Sequence, residues 1–311
     1  MTFSGKSLLG TENLKEGEIL SILDTADSFK EISTRSIKKV PTLRGRTIIN
    51  MFCEPSTRTR ASFEIAGKRL SADVINLTDG SSSALKGESL MDTVRNLEAM
   101  SADILILRHS CSGAAHFAAN HLTAPVINAG DGSHEHPTQA LLDLQTIREH
   151  KKILRGLNVA IIGDITHSRV ARSNIYAMNT LGMNVTVAGP PTMIPVEIDK
   201  MGVKVCYDLT KAICNADVIM MLRIQLERQS RTLFPTLREY SNLFGLTLDK
   251  LKKAPPEAII IHPGPVNSGV EIAPNVQNGP HSLILNQVAN GVALRMALMY
   301  LVLGKENESF N

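Results

Sequence analysis

The sequence predicts an α/β protein with two doubly wound parallel-sheet domains joined by interdomain helices. The chain has 311 residues, and at roughly 150 residues per domain two domains are the expected number. Short aliphatic runs recur along it, each followed by a polar loop and a segment of helical spacing. Strands separated by helices need crossovers, and crossovers of a single hand produce parallel sheets.

In the first half Arg46–Phe52, Asp103–Leu107 and Pro125–Ala129 read as strands, being short and aliphatic between polar loops. A helix is expected from near Ala61. From Asp131 to His150 the chain has Gly132, then His134-Glu135-His136-Pro137, then Leu141, Leu144 and Ile147 at helical spacing. Proline suits a first helical turn, so this segment reads as a helix bridging the domains. In the second half Leu157–Ile162, Asn184–Ala188, Asp217–Leu222 and Ala258–Ile261 read as strands, interrupted by Gly189-Pro190-Pro191 and Pro255-Pro256. A last helical segment, Ser282 to Leu303, is long enough to return to the first domain. The expected domains are therefore residues 1–137 plus 290–311, and residues 138–289.

Apolar residues make up 43% and charged residues 20% of the chain, which is the composition of an ordinary globular protein. The formal net charge is +3 with the basic residues dispersed, so no nucleic-acid partner is expected. No apolar signal core opens the chain, and the apolar stretch Val292 to Leu303 is short and carries Arg295. A cytosolic protein that does not enter a membrane is expected. Cys53, Cys111, Cys206 and Cys214 form no Cys-x-x-Cys pair and read as isolated thiols.

Open parallel sheets bind ligands outside the carboxyl ends of their strands. The residues there are Glu54 to Arg58, Arg108-His109, Asp164 and then Arg169, Arg223-Ile224-Gln225, and His262-Pro263. Four of these five ends carry arginine, so the chemistry is sought there. In Ser56-Thr57-Arg58-Thr59-Arg60, backbone amides, three hydroxyls and a guanidinium converge at a helix N-terminus, a combination that binds phosphate. The same residues also suit a polar cap with solvated arginines. Gly80 to Glu88, with Lys86 near its end, reads as a flexible surface loop. Arg108 either snorkels to solvent or faces a ligand crevice. His136 is placed to donate a hydrogen bond to a carbonyl oxygen. His134-Glu135-His136 has no third ligand placed by sequence, so no metal is expected. Val159 to Asp164 lacks the Gly-x-Gly-x-x-Gly pattern, so no nicotinamide cofactor is expected.

Two motifs together are highly specific. Ser56-Thr57-Arg58-Thr59-Arg60 runs into Ala61-Ser62-Phe63-Glu64, and His136-Pro137-Thr138-Gln139 runs into Ala140-Leu141-Leu142-Asp143, with Arg108-His109 between them. In this order they resemble the carbamoyltransferase family, over nearly the whole chain. The resemblance implies an enzyme that moves a carbamoyl group from carbamoyl phosphate to an amine, with no metal or cofactor and no covalent intermediate. It assigns carbamoyl phosphate to the first domain and the acceptor to the second.

By the same resemblance Ser56, Thr57, Arg58 and Thr59 hold the phosphate. Thr59, Arg108 and His136 polarise the carbonyl oxygen, while Gln139 and the backbone at Pro263 and Gly264 hold the carbamoyl amide. Charge grows on that oxygen as the amine attacks, so the polarising contacts act in the transition state. Ser82, or Ser83 in its place, and Lys86 are implied to come from a neighbouring subunit of a homotrimer. Arg169, Arg223 and Gln225, with Lys86, resemble the aspartate-using members, which serve pyrimidine biosynthesis. Two arginines suit two carboxylates. Ornithine-using members carry a His-Cys-Leu-Pro segment and a Ser-Met-Gly loop; this chain has His262-Pro263-Gly264-Pro265 and no such loop near 230–240. Gly264 departs from the larger apolar residue frequent in the family, which implies a more flexible loop with its main-chain contact retained. Carbamoyl phosphate is implied to bind first, followed by domain closure that excludes water. Whether regulatory chains or another pathway enzyme bind the trimer is left open.

Overall fold

Parallel strands alternate with helices through both halves of the chain in this computed structural model, which describes residues 3, 7–78, 89–225 and 236–303. Residues 1–142 with 289–311 form one unit and residues 143–288 a second.

The first unit runs α1 (Glu16–Thr34), β1 (Thr47–Phe52), α2 (Thr57–Arg69), β2 (Asp73–Thr78), α3 (Leu90–Ala99), β3 (Ile104–His109), α4 (Ala114–His121) and β4 (Val126–Asp131). Its strands are all parallel, in the order β2-β1-β3-β4. β1 and β3 lie at the centre with both faces covered, which is why they read as nearly continuous apolar runs. Ile49, Met51, Leu105 and Leu107 pack with Val94 and Leu97 of α3 and Ala115 and Ala118 of α4. β2 was not among the expected strands. It lies at the sheet edge with Asp73, Ile75 and Asn76 exposed, and its identity comes from pairing with β1 rather than from a burial pattern. The other edge, β4, is covered by the N-terminal segment. Leu8 N donates to Val126 O at 2.9 Å and Asn128 N to Leu8 O at 2.9 Å, which satisfies backbone groups that would otherwise template association.

α5 (Pro137–Lys151) leads into the second unit. There follow β5 (Asn158–Ile162), α6 (Arg169–Thr180), β6 (Asn184–Ala188), β7 (Lys204–Cys206), α7 (Leu209–Ile213) and β8 (Val218–Met221). After these come α8 (Leu237–Phe244), α9 (Leu248–Leu251), β9 (Ile259–Ile261), α10 (Pro274–Gln277) and α11 (Ile284–Leu303). The strand order is β7-β6-β5-β8-β9, again all parallel. Ile162, Ile219, Met221 and Ile260 pack with Tyr240 and Phe244 of α8. β7, a short edge strand opening on exposed Lys204, was also absent from the expectation. Four helices of this unit start on side-chain caps: Ser168 Oγ accepts from Ala171 N at 3.1 Å, Asp208 Oδ1 from Lys211 N at 3.1 Å, Thr236 Oγ1 from Glu239 N at 3.1 Å, and Thr247 Oγ1 from Lys250 N at 3.4 Å. Caps of this kind contribute about 1 kcal/mol each.

The boundary between the units falls within α5 and within α11. In α11 the buried run Ala293 to Met299 includes Arg295, which is only 4% exposed. Its guanidinium lies 4.8 Å over the Phe63 ring and donates to Ser62 Oγ at 2.8 Å, which is how an apolar helix accommodates a cation. No helix among the described residues is long and apolar enough to cross a membrane.

Each sheet has one place where the chain order reverses direction. It lies between β1 and β3 in the first unit and between β5 and β8 in the second. Crevices for ligands open at the carboxyl ends of such strand pairs.

Candidate active site

At the first reversal, Phe52 at the end of β1 is in register with Arg108 near the end of β3. β1 runs through a short turn into α2, which begins at Thr57 rather than near Ala61. The earlier start places Thr57, Arg58 and Thr59 in the first helical turn, whose amides have no partner within the helix. Ser56 occupies the cap position, but its side chain makes no capping hydrogen bond, so the cap role open to this residue is not the one adopted. Thr57 and Arg58 are exposed, with Ser56 and Thr59 half-buried. Arg108 is largely covered: its side chain is 12% exposed, Nη2 lies 3.3 Å from Glu54 Oε2, and Nη1 donates to Ala129 O at 3.3 Å. Of the two fates open to Arg108, free extension into solvent is therefore excluded.

β4 ends one register further along, with Asp131 opposite His109, and leads into a tight turn that carries His136. Asp131 N donates to Glu135 O at 3.2 Å, and Glu135 N returns to Asp131 Oδ1 at 3.2 Å. Glu135 is buried and accepts from Thr11 N at 2.7 Å, Thr11 Oγ1 at 2.7 Å and Glu12 N at 3.3 Å. A side chain on Gly10 would begin 2.2 Å from this carboxylate, so the close approach depends on glycine. His136, 5% exposed, then caps α5, its carbonyl accepting from Gln139 N at 3.0 Å. Gln139 is 9% exposed on the first turn of that helix.

The second reversal collects the ends of β5 and β8, with β9 beside β8. Arg169 is the first residue of α6 and is only 3% exposed. Arg223 and Gln225 follow β8, and Gln225 Nε2 reaches His167 O at 3.4 Å, tying this segment to the turn that precedes Arg169. Between them Ile224 N donates to Glu271 Oε1 at 2.9 Å. Glu271 also accepts from Asn267 N at 2.7 Å and Asn267 Nδ2 at 2.7 Å. Beyond β9 a second network holds the loop at 262–264. Asp143 accepts from Asn174 Nδ2 at 3.0 Å and from Gln287 Nε2 at 2.7 Å, and Gln287 Oε1 accepts from His262 N at 2.9 Å. Gly264 N donates to His262 Nδ1 at 2.7 Å, which fixes that nitrogen as unprotonated. Gly264 has φ +58°, a region that penalises larger residues. The turn at 262–264 is thus hydrogen-bonded and favours glycine at 264.

Glu54, Glu135, Asp143, Glu271 and Gln287 were missing from the expected set. Each positions a backbone segment or an arginine, except Asp143, which holds the Gln287 side chain that accepts from His262 N. Ser82 or Ser83 and Lys86 lie outside the described residues.

Burial pushes the Glu271 carboxyl above its ordinary range, against the lowering influence of the amides it accepts from. Because the folded-state pKa is raised, the stability this group contributes is present below the unfolded pKa and is lost as pH rises through the shifted value. Glu271→Gln should remove that slope from the pH dependence of urea unfolding. Glu271→Ala strips three donors of their acceptor, and unpaired buried groups cost about 1–3 kcal/mol each. A lowered urea midpoint in Glu271→Ala is expected. An unchanged midpoint would contradict the positioning role.

Fold and site together define a two-unit α/β protein whose strand-order reversals gather arginines, suited to two anionic small molecules. Residues 6–149 match the family described as aspartate/ornithine carbamoyltransferase, carbamoyl-P binding domain, and residues 155–302 match its Asp/Orn binding domain. A protein of Syntrophus aciditrophicus (strain SB) named aspartate carbamoyltransferase catalytic subunit is 61% identical over 304 residues, covering 98% of this chain and 99% of its own. An ornithine carbamoyltransferase structure from Pyrococcus furiosus is 30% identical with a TM-score of 0.86, covering 98% of this chain and 99% of its own. Aspartate transcarbamoylase from Trypanosoma cruzi, solved with carbamoyl phosphate and aspartate, is 28% identical with a TM-score of 0.87, covering 96% of this chain and 97% of its own. This chain belongs to the aspartate/ornithine carbamoyltransferase family.

Proposed function

We propose that this chain transfers the carbamoyl group of carbamoyl phosphate to the amine of L-aspartate, giving N-carbamoyl-L-aspartate and phosphate. The observation that carries the reading is the placement of Arg169 and Arg223 at the reversal between β5 and β8, because a dicarboxylate acceptor calls for two guanidinium partners. Ornithine, with a second amine in place of the second carboxylate, does not. The Syntrophus aciditrophicus relative bears the aspartate name over the full length, and the Trypanosoma cruzi structure holds both substrates.

In this reading Ser56, Thr57, Arg58 and Thr59 take the phosphate at the N-terminus of α2, where amides and helix dipole favour an anion. Thr59, Arg108 and His136 polarise the carbonyl oxygen. Gln139 and the main chain at Pro263 and Gly264 hold the amide. The neutral amine of aspartate forms the new C–N bond, the carbonyl oxygen carries the charge of the tetrahedral intermediate, and the C–O bond to phosphate then breaks. The leaving phosphate takes the amine's proton, so no covalent enzyme intermediate forms. Purified protein given carbamoyl phosphate should form N-carbamoyl-L-aspartate from aspartate and no citrulline from ornithine. Citrulline formation with aspartate inert would refute the assignment.

The reading includes a cytosolic homotrimer in which Ser82 or Ser83, with Lys86, serves a neighbouring site. Lys86→Ala and Arg58→Ala homotrimers should each be nearly inactive, and dissociating, mixing and reassembling them should restore activity. Random reassortment in a cyclic trimer makes about three quarters of trimers mixed, each with one intact site, so about one quarter of all sites recover. Verified hybrids with no more activity than the parents would place Lys86 in its own chain's site or in none.

A further inference from the structure

Beside the turn that carries His136, three side chains with metal-binding atoms converge. Asp131 ends β4, His134 follows three residues later, and His116 reaches them from α4. One ligand atom from each lies within 4.8 Å of the other two. His134 Nδ1 is 3.0 Å from Asp131 Oδ2, and the rings of His116 and His134 meet edge to face with centroids 5.5 Å apart. We propose that His116, Asp131 and His134 form a binding site for a divalent transition-metal ion of the zinc class.

The donor set supports this. Two imidazoles and one carboxylate are a known three-ligand complement for four-coordinate zinc, with water as the fourth ligand. Nitrogen donors of this kind select zinc, cobalt, nickel or copper over magnesium and calcium. The carboxylate is also held from behind, as metal-binding carboxylates are. Asp131 is 1% exposed and accepts from Gly113 N at 2.6 Å and Asn128 Nδ2 at 2.8 Å, besides Glu135 N at 3.2 Å. Zinc bonds of about 2.0–2.2 Å put neighbouring tetrahedral ligands roughly 3.3 Å apart. The spacing found here therefore closes to a coordination shell by small side-chain movements. His134 and His136 lie within one short motif, yet the fold pairs His134 with His116 and leaves His136 capping α5, so this cluster is distinct from the groups assigned to catalysis.

The test uses the full-length chain without an affinity tag, stripped by a chelator and titrated with Co2+, whose visible absorption is strong only in tetrahedral-type sites. Zn2+ should compete for the same site, and Mg2+ should not. His116→Ala and His134→Ala should each weaken binding by about tenfold or more, the scale of ligand-shell lesions. His121→Ala, on the same helix outside the cluster, should leave it unchanged. His116 reaches solvent, so its variant keeps the test valid if His134→Ala fails to fold. Equal Co2+ affinity in wild type and the His116→Ala/His134→Ala double variant would overturn the site. So would a wild-type signal lost in Cys111→Ser but kept in both histidine variants.

Discussion

Arg108→Ala is expected to lower kcat and kcat/KM together by about 10²–10³-fold, the scale found for removing one donor to a developing oxyanion. Arg108 stands at the end of β3, in register with the end of β1, with its guanidinium held by Glu54 and the Ala129 carbonyl. Such a donor is oriented before substrate arrives, so little reorganisation is needed when charge appears. Truncation also takes the cation from Glu54, whose side chain is 20% exposed, and a loss of stability would confuse the result. Arg108→Ala/Glu54→Ala separates the two effects. It should recover the stability lost in the single variant while kcat stays low. Recovery of kcat in the double variant would show that Arg108 acts on structure alone.

Arg58→Ala should weaken carbamoyl phosphate and inorganic phosphate alike. Hydrogen bonds to charged groups contribute about 1.5–3 kcal/mol, or about 10- to 150-fold in affinity. Arg58 is exposed on the first turn of α2, so its truncation should affect anion binding far more than the unfolding midpoint. Phosphate inhibition equal to wild type would reduce the segment to a helix start with solvated arginines.

The central strands are legible in the sequence because Ile48 to Phe52 or Ile104 to Leu107 can only be so apolar if both faces are covered. β2 and β7 are not legible. At a sheet edge Asp73, Asn76 and Lys204 remain compatible with water, and only the neighbouring strand makes these segments strands. The start of α2 was placed too late because Thr57 to Arg60 look like loop residues, whereas their place against β1 makes them the helix's first turn.

The residues assigned to substrates stood out as polar groups just past aliphatic runs. Those that position them did not. Glu135 and Thr11 are 124 residues apart, Gln287 and Asp143 are 144 apart, and Ile224 and Glu271 are 47 apart, distances over which no local pattern can link partners. Asp143 was within reach as the last residue of the His-Pro-Thr-Gln motif's extension, and Glu135 as the centre of His-Glu-His. Glu271 sits in an unremarkable Gly-Val-Glu-Ile run. His116 and Asp131 escaped for the same reason, since the fold alone brings α4 against the end of β4.

The proposed function gives carbamoyl phosphate to the first unit, which matches the carbamoyl-P binding domain, and the dicarboxylate acceptor to the second, which matches the Asp/Orn binding domain, with Arg169 and Arg223 proposed as its partners. The most direct test is a calorimetric titration of carbamoyl phosphate into Arg223→Ala, set beside that variant's aspartate saturation curve. Carbamoyl phosphate should bind within about twofold of wild type while the aspartate requirement rises about tenfold or more, as expected when one charge-assisted carboxylate contact is lost. Loss of carbamoyl phosphate binding with normal aspartate saturation would contradict the division.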